Sequence, residues 1–184
     1  MEEFKIYSIT DKYISYLQKK YPNVYSNKME HRTHTRKYIG TVMKIEGISY
    51  YIPMSSPKES DYQIAGKNKV IKKSIVPIFR IVVKNSKGEK ELKGTLRISH
   101  MIPVPESELI EYDINSEPNE AYRELVKDEW IFIRKNREKI INYVKVMYKQ
   151  KCENFSVGYV KSALDYKALE KLCKEFDEYI SEDI

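Results

Sequence analysis

Apolar residues fall in short runs through the first 105 positions and recur at helical spacing after them. FKIYSI at 4–9 reads as a strand, and Thr10 or Asp11 can cap a helix on which Tyr13, Ile14 and Leu17 share one face. Lys19 and Lys20 suit the C-terminal dipole of that helix, and Pro22 closes it. Residues 38–45 and 48–54 are strand-like on either side of Glu46-Gly47, which predicts a β-hairpin. Residues 74–84, with Pro77 marking an edge or a bulge, and residues 91–99 flank the turn Asn85-Ser86-Lys87-Gly88 and predict an antiparallel pair. Residues 101–104 form one more short strand. The polar stretches 23–35 and 60–73 predict two exposed loops that converge on one end of the sheet.

Beyond residue 105 the period changes. Residues 106–114 predict a short helix, and Pro118 opens a long one. On the long helix Tyr122, Leu125, Val126, Trp130, Ile133, Ile140, Ile141, Val144 and Met147 form a broad apolar stripe, which reads as core. After a break at 154–158, a last helix carries Leu169, Leu172, Cys173 and Phe176. The expectation is one α+β domain over residues 1–184, strand-rich at 1–105 and helical at 106–184. Its five or six short strands form an antiparallel sheet or partial barrel.

Composition changes this picture little. The 41% hydrophobic content supports a core, and 33% charged residues beside sixteen tyrosines do not resemble a disordered chain. Net charge +6 favours a polyanionic partner. Cys152 and Cys173, 21 positions apart with no CxxC or Cys/His set, are expected to be reduced thiols rather than zinc ligands. The charged start MEEFKIYSITDKYI has no secretory h-region, and no apolar run approaches the roughly 20 residues of a membrane span, so a cytoplasmic protein is expected.

The candidate chemistry lies where the second hairpin strand runs into Ser55-Ser56-Pro57-Lys58. Two hydroxyls, a rigid proline and a cation in four residues can hold a phosphate. The Arg36-Lys37 pair sits at the far end of the same hairpin, and strand alternation turns one of the two into a cleft and the other to solvent. RNA can be cleaved without metal by attack of a ribose 2′-OH on the neighbouring phosphate. The protein then moves two protons and stabilises the phosphorane with fixed positive charge. His31, His34 and His100 are further acid–base candidates. Read from residues alone, a solvated turn, a solvated charge pair and scattered surface histidines stay open. Glu106, Glu108 and Glu111 read as solvating a helix rather than holding Mg²⁺. No P-loop, GxGxxG or HExxH is present, and no cofactor is implied.

Four segments, in this order and spacing, resemble the ToxN/AbiQ/CptN family of type III toxin–antitoxin endoribonucleases. They are FKIYSITDKYISYL, KYIGTVMKIEGISYYIPMSSPK, LRISHMIPVPESEL and AYRELVKDEWIFIRKNREKI. The resemblance implies a compact, strongly twisted antiparallel sheet surrounded by helices and related to the Kid/MazF toxins. It implies sequence-specific, metal-independent RNA cleavage that leaves a 2′,3′-cyclic phosphate. It also implies a small pseudoknot RNA antitoxin, processed by the toxin and closing a toxin–RNA assembly, in phage abortive infection or stress response. No protein antitoxin and no membrane partner are expected.

By the same resemblance Ser56 matches the family's active-site serine and Lys58 the lysine two residues on. Ser55 stands where ToxN has threonine. Arg36 falls where ToxN has a lysine, so it can stabilise the phosphorane but donates protons poorly. Arg32 falls where ToxN has tyrosine, which leaves the general base and acid open and gives His31 or His34 room for a role. Arg32, Lys37, His31, His34, Lys67, Lys69, Lys72 and Lys73 are the expected RNA contacts. The rival readings are a non-catalytic RNA-binding module, a MazF-like RNase with a protein antitoxin, and a structural protein with an ordinary basic surface.

Overall fold

The computed structural model describes residues 4–27 and 34–182. His31 and Arg32 lie outside the described residues. Strand β1 (Lys5–Ile9) leads into helix α1 (Asp11–Lys20). Thr10 caps that helix by accepting from Tyr13 N, which satisfies one of the orphan N–H groups at its start. The hairpin follows as β2 (Tyr38–Ile45) and β3 (Ile48–Ser55). Glu46 and Gly47 both adopt positive φ, 49° and 84°, the backbone that a two-residue hairpin turn requires.

The stretch 60–73 is not a plain loop. Tyr62–Ala65 (β4) and Asn68–Ile71 (β5) form a separate two-stranded hairpin whose residues are largely exposed, so the apolar alternation that marks a half-buried strand is missing. In 74–84 only Phe79–Lys84 (β6) is strand; Ile75 and Ile78 close a turn around Pro77. Lys90–Leu96 (β7) pairs back on β6, and Ile102–Pro103 (β8) pairs with β3. The predicted short helix at 106–114 is instead a 3-10 turn, Glu106–Glu108, followed by strand Leu109–Glu111 (β9) against β1. Glu108 is buried there and accepts from Thr10, which a solvating helix residue would not do.

The main sheet is antiparallel with order β6-β7-β3-β2-β1-β9, and β8 also pairs β3. Among the described residues it has seven strands rather than five or six, within the expected α+β class. The predicted long helix is two, α2 (Glu120–Lys135) and α3 (Arg137–Cys152), broken at Asn136, whose Nδ2 donates to Phe132 O. A short α4 (Gly158–Lys161) precedes α5 (Tyr166–Glu182).

Helix α2 covers β6 and β7, α3 covers β2, and α5 covers β8. The core holds the expected stripe residues Val126, Ile133, Ile140, Val144 and Met147. Buried tyrosines keep partners: Tyr13 Oη donates to Pro103 O at 2.8 Å, and Tyr50 Oη to Glu170 at 2.8 Å. Cys152 and Cys173 are thiols rather than disulfide partners. Among the described residues no helix is long and apolar enough to cross a membrane.

Candidate active site

The register of the central hairpin builds the site. Tyr38 faces Pro53 and Met54 N donates to Lys37 O at 2.8 Å, so Arg36 comes to lie beside Ser55 rather than at a far end. Arg36 is 5% exposed and fully engaged. Its Nη1 donates to Ser55 Oγ and to Met54 O, each at 3.0 Å, and its Nε to Ser26 O at 3.1 Å. The guanidinium also sits 4.6 Å over the Tyr25 ring. Ser55 is held from the other side by β7, where it pairs with Thr95.

Beyond Ser55 the chain leaves the sheet, and Ser56 and Lys58 are exposed. Asp61, 0% exposed, anchors their loop from behind. Lys58 N donates to Asp61 Oδ2 at 3.0 Å, and Asp61 N to Lys58 O at 2.9 Å. Arg97 Nη2 bonds the same Oδ2 at 3.2 Å. Arg80 Nη2 lies 3.0 Å from Oδ1 as an ion pair without hydrogen-bond alignment. Two buried guanidiniums against one carboxylate leave excess positive charge behind the serines. That field suits a phosphate.

Two clefts share Arg36, Ser55 and Ser56. One, of about 660 Å³, is completed by Tyr25, Pro57, Lys58 and His100 among others. The second, of about 300 Å³, is completed by His34, Lys37, Lys93, Tyr122 and Glu129 among others. All four candidate catalytic residues therefore come together, with Arg36 and Ser55 buried and Ser56 and Lys58 presented.

The expectation that only one of Arg36 and Lys37 faces a cleft is corrected. Both precede β2, both line the second cleft, and Lys37 is half-buried with Nζ 3.3 Å from Ser8 Oγ. Burial lowers the Lys37 ammonium below its usual range.

His34 stacks on Tyr122, ring centroids 3.7 Å apart. His100 stacks on Tyr25 at 4.3 Å, and its Nδ1 is 3.0 Å from Ser99 Oγ. Burial, then the charges of Arg97, Arg36 and Lys58, push His100 down to about 4. Lys69 pairs with Glu59 at 2.7 Å and Lys72 Nζ donates to Ser60 O, which ties the β4–β5 hairpin to the loop of Lys58. Lys67 and Lys73 are exposed on the same flank.

Sequence reasoning missed Tyr25, Asp61, Arg97 and Glu129. Asp61 was visible only as one acid in a lysine-rich stretch. Glu129 had a usable signal: it follows Leu125 by four and Val126 by three, so it sits inside the apolar stripe.

Residues 5–174 match the family model of Toxin ToxN, type III toxin–antitoxin system. The chain is 27% identical over 181 residues to Endoribonuclease ToxN of Bacillus thuringiensis subsp. kurstaki, covering 95% of this chain and 84% of that protein. A solved structure bearing on selective toxin inhibition by a non-coding RNA pseudoknot in type III systems superposes with TM-score 0.74 and 26% identity, covering 96% of this chain and 99% of the other. The fold also matches that of AbiQ, a lactococcal anti-phage endoribonuclease of the type III class, with TM-score 0.76, 24% identity and coverage of 96% and 99%.

Proposed function

The chain belongs to the ToxN family of type III toxin–antitoxin toxins, and from that premise we propose that it is a metal-independent endoribonuclease toxin held in check by its own small pseudoknot RNA. The observation that carries this reading is the convergence of Arg36, Ser55, Ser56 and Lys58 on one positively charged ridge between two clefts. The names of the ToxN relative and of the pseudoknot-inhibited structure support the activity and the partner.

In this mechanism the scissile phosphate sits over Arg36 and Lys58, which meet the charge of the phosphorane as the 2′-OH attacks. Ser56 orients the 2′-OH or a phosphate oxygen. Ser55 supports the loop through its bond from Arg36. The O2′–P bond forms and the P–O5′ bond breaks, leaving a 2′,3′-cyclic phosphate. Lys67, Lys69, Lys72 and Lys73 extend the contact along the RNA, and the RNA antitoxin closes over the same groove. Abortive infection or stress response is the physiological setting.

The test is controlled bacterial expression of the wild-type chain and Ser56→Ala, with growth curves and mapping of cellular RNA ends. Growth arrest with new sequence-specific cuts, both lost in Ser56→Ala, supports the reading. A folded wild-type protein that causes neither overturns it. Cuts that persist in Ser56→Ala keep the enzyme and remove Ser56 from its chemistry.

A further inference from the structure

Two titratable side chains flank the shared ridge from different sides. His100 lines the larger cleft only, and Glu129 lines the smaller one only. The His100 ring is fixed by its stack on Tyr25. Nδ1 shares a hydrogen bond with Ser99 Oγ; in the tautomer in which Nδ1 donates, Nε2 keeps its lone pair, and among the described residues it has no hydrogen-bond partner. Glu129, 7% exposed, projects from α2 onto β7. A Cβ added at Gly94 would collide with Glu129 Oε1 and lie 3.3 Å from Ser55 O, so the missing side chain is what makes room for this carboxyl against β7, the strand that pairs with Ser55. No hydrogen bond to that carboxyl is made among the described residues.

Attack of a 2′-OH on phosphorus proceeds in line, with the entering and leaving oxygens on opposite sides, so a base and an acid are needed across the phosphate from each other. Resting on the endoribonuclease reading above, we propose that His100 Nε2 takes the proton of the attacking 2′-OH and that the Glu129 carboxyl gives its proton to the leaving 5′-oxygen. The O2′–P bond forms as P–O5′ breaks. One proton passes to His100, one leaves Glu129, and exchange with water restores both.

The surroundings prepare each group for its task. Burial and the cations Arg97, Arg36 and Lys58 hold the His100 ring at about 4, so it is neutral and able to accept. Burial and the neighbouring Asp128 raise Glu129 to about 8 against the opposing pull of Lys93, so it carries a proton at neutrality. Two groups driven apart in this way are the usual mark of an assigned base and acid. A phosphate between Arg36 and Lys58 cancels part of the cationic push on His100, so the base strengthens when substrate arrives.

The experiment uses the full chain, an oligoribonucleotide spanning a mapped cut, and the same oligonucleotide with sulfur replacing the bridging 5′-oxygen. A thiolate leaves without being protonated. His100→Gln and Glu129→Gln are each expected to slow single-turnover cleavage of the oxygen substrate by about 10²–10⁴-fold. Sulfur restores Glu129→Gln to near the wild-type rate and leaves His100→Gln slow. Wild-type protein alone gives a second readout independent of the variants' folding: sulfur removes the alkaline limb of its pH–rate profile and keeps the acidic limb. Rescue of His100→Gln instead, or an equal sulfur effect on all three proteins, overturns the assignment and leaves the nuclease standing. A folded wild-type chain that leaves RNA intact overturns the nuclease reading and the assignment with it.

Discussion

Arg36 Nη1 donates to Ser55 Oγ at 3.0 Å, joining residues nineteen positions apart at the open end of the central hairpin. The same guanidinium bonds Met54 O and Ser26 O, so one cation fastens the incoming and outgoing chains beside the site. Lysine keeps the charge and loses the fork. Arg36→Lys is expected to cost about 1–3 kcal/mol in urea melts. Assayed well below its melting point, it should cleave RNA about 10²–10³-fold more slowly.

Asp61 is the anchor of the serine loop, and its removal strands Arg80 and Arg97 without their counter-charge. Asp61→Ala should destabilise the fold by about 3–5 kcal/mol. That corresponds to a melting point roughly 6–20 °C lower for a chain of this size, read by calorimetry. Asp61→Asn retains an acceptor for Lys58 N and should fall between Ala and wild type.

Stability against pH carries two opposed contributions. Unfolded His100 titrates near 6.5 and the folded ring near 4. Between those values the unfolded chain holds the extra proton, so stability is lost as pH falls through the window. For Glu129 the folded value, about 8, exceeds the unfolded 4.5. There the folded chain holds the proton, and stability declines as pH rises through the window. Between about 4.5 and 6.5 the two slopes oppose each other, so denaturant titrations should show His100→Gln uncovering the whole Glu129 decline from about 4.5 to 8, and Glu129→Gln uncovering the whole His100 rise from about 4 to 6.5. Each slope is on the order of 1 kcal/mol per pH unit.

Binding of RNA to the Ser56→Ala protein, expected to have lost cleavage, should weaken linearly with the logarithm of salt. Replacing Lys67 and Lys73, which are exposed, should lower the slope by about 0.7 for each lysine that meets a phosphate. Fluorescence anisotropy over a salt series measures it. An unchanged slope would remove the β4–β5 flank from the RNA path.

The hairpin of β2 and β3 was legible because its strands are rich in buried β-branched and aromatic residues and its turn is Glu46-Gly47. The β4–β5 hairpin was not, because little of it is buried and no burial pattern marks its strands. β9 was hidden by its three residues and by the acids around them. The interruption at Asn136 was masked by an apolar stripe that continues across it. At the site, Ser55, Ser56 and Lys58 were readable as one local motif. Asp61 bonds Lys58 N locally but showed only as one acid in a lysine-rich stretch, Glu129 showed only as an acid within the apolar stripe, and Arg97 meets Asp61 through a tertiary contact that no spacing encodes.

Strand β3 is hydrogen-bonded along one edge to β2 and along the other to β8 and then β7. Its amides should therefore be among the slowest in the chain to exchange with deuterium, opening only with the whole domain. The serine loop issues from the end of that strand, so thermal fraying offers no cheap way to disarm it. Under the proposed function, a cell that carries such a blade has to sheathe it: control would fall to an occupant that fills the clefts and leaves on cue.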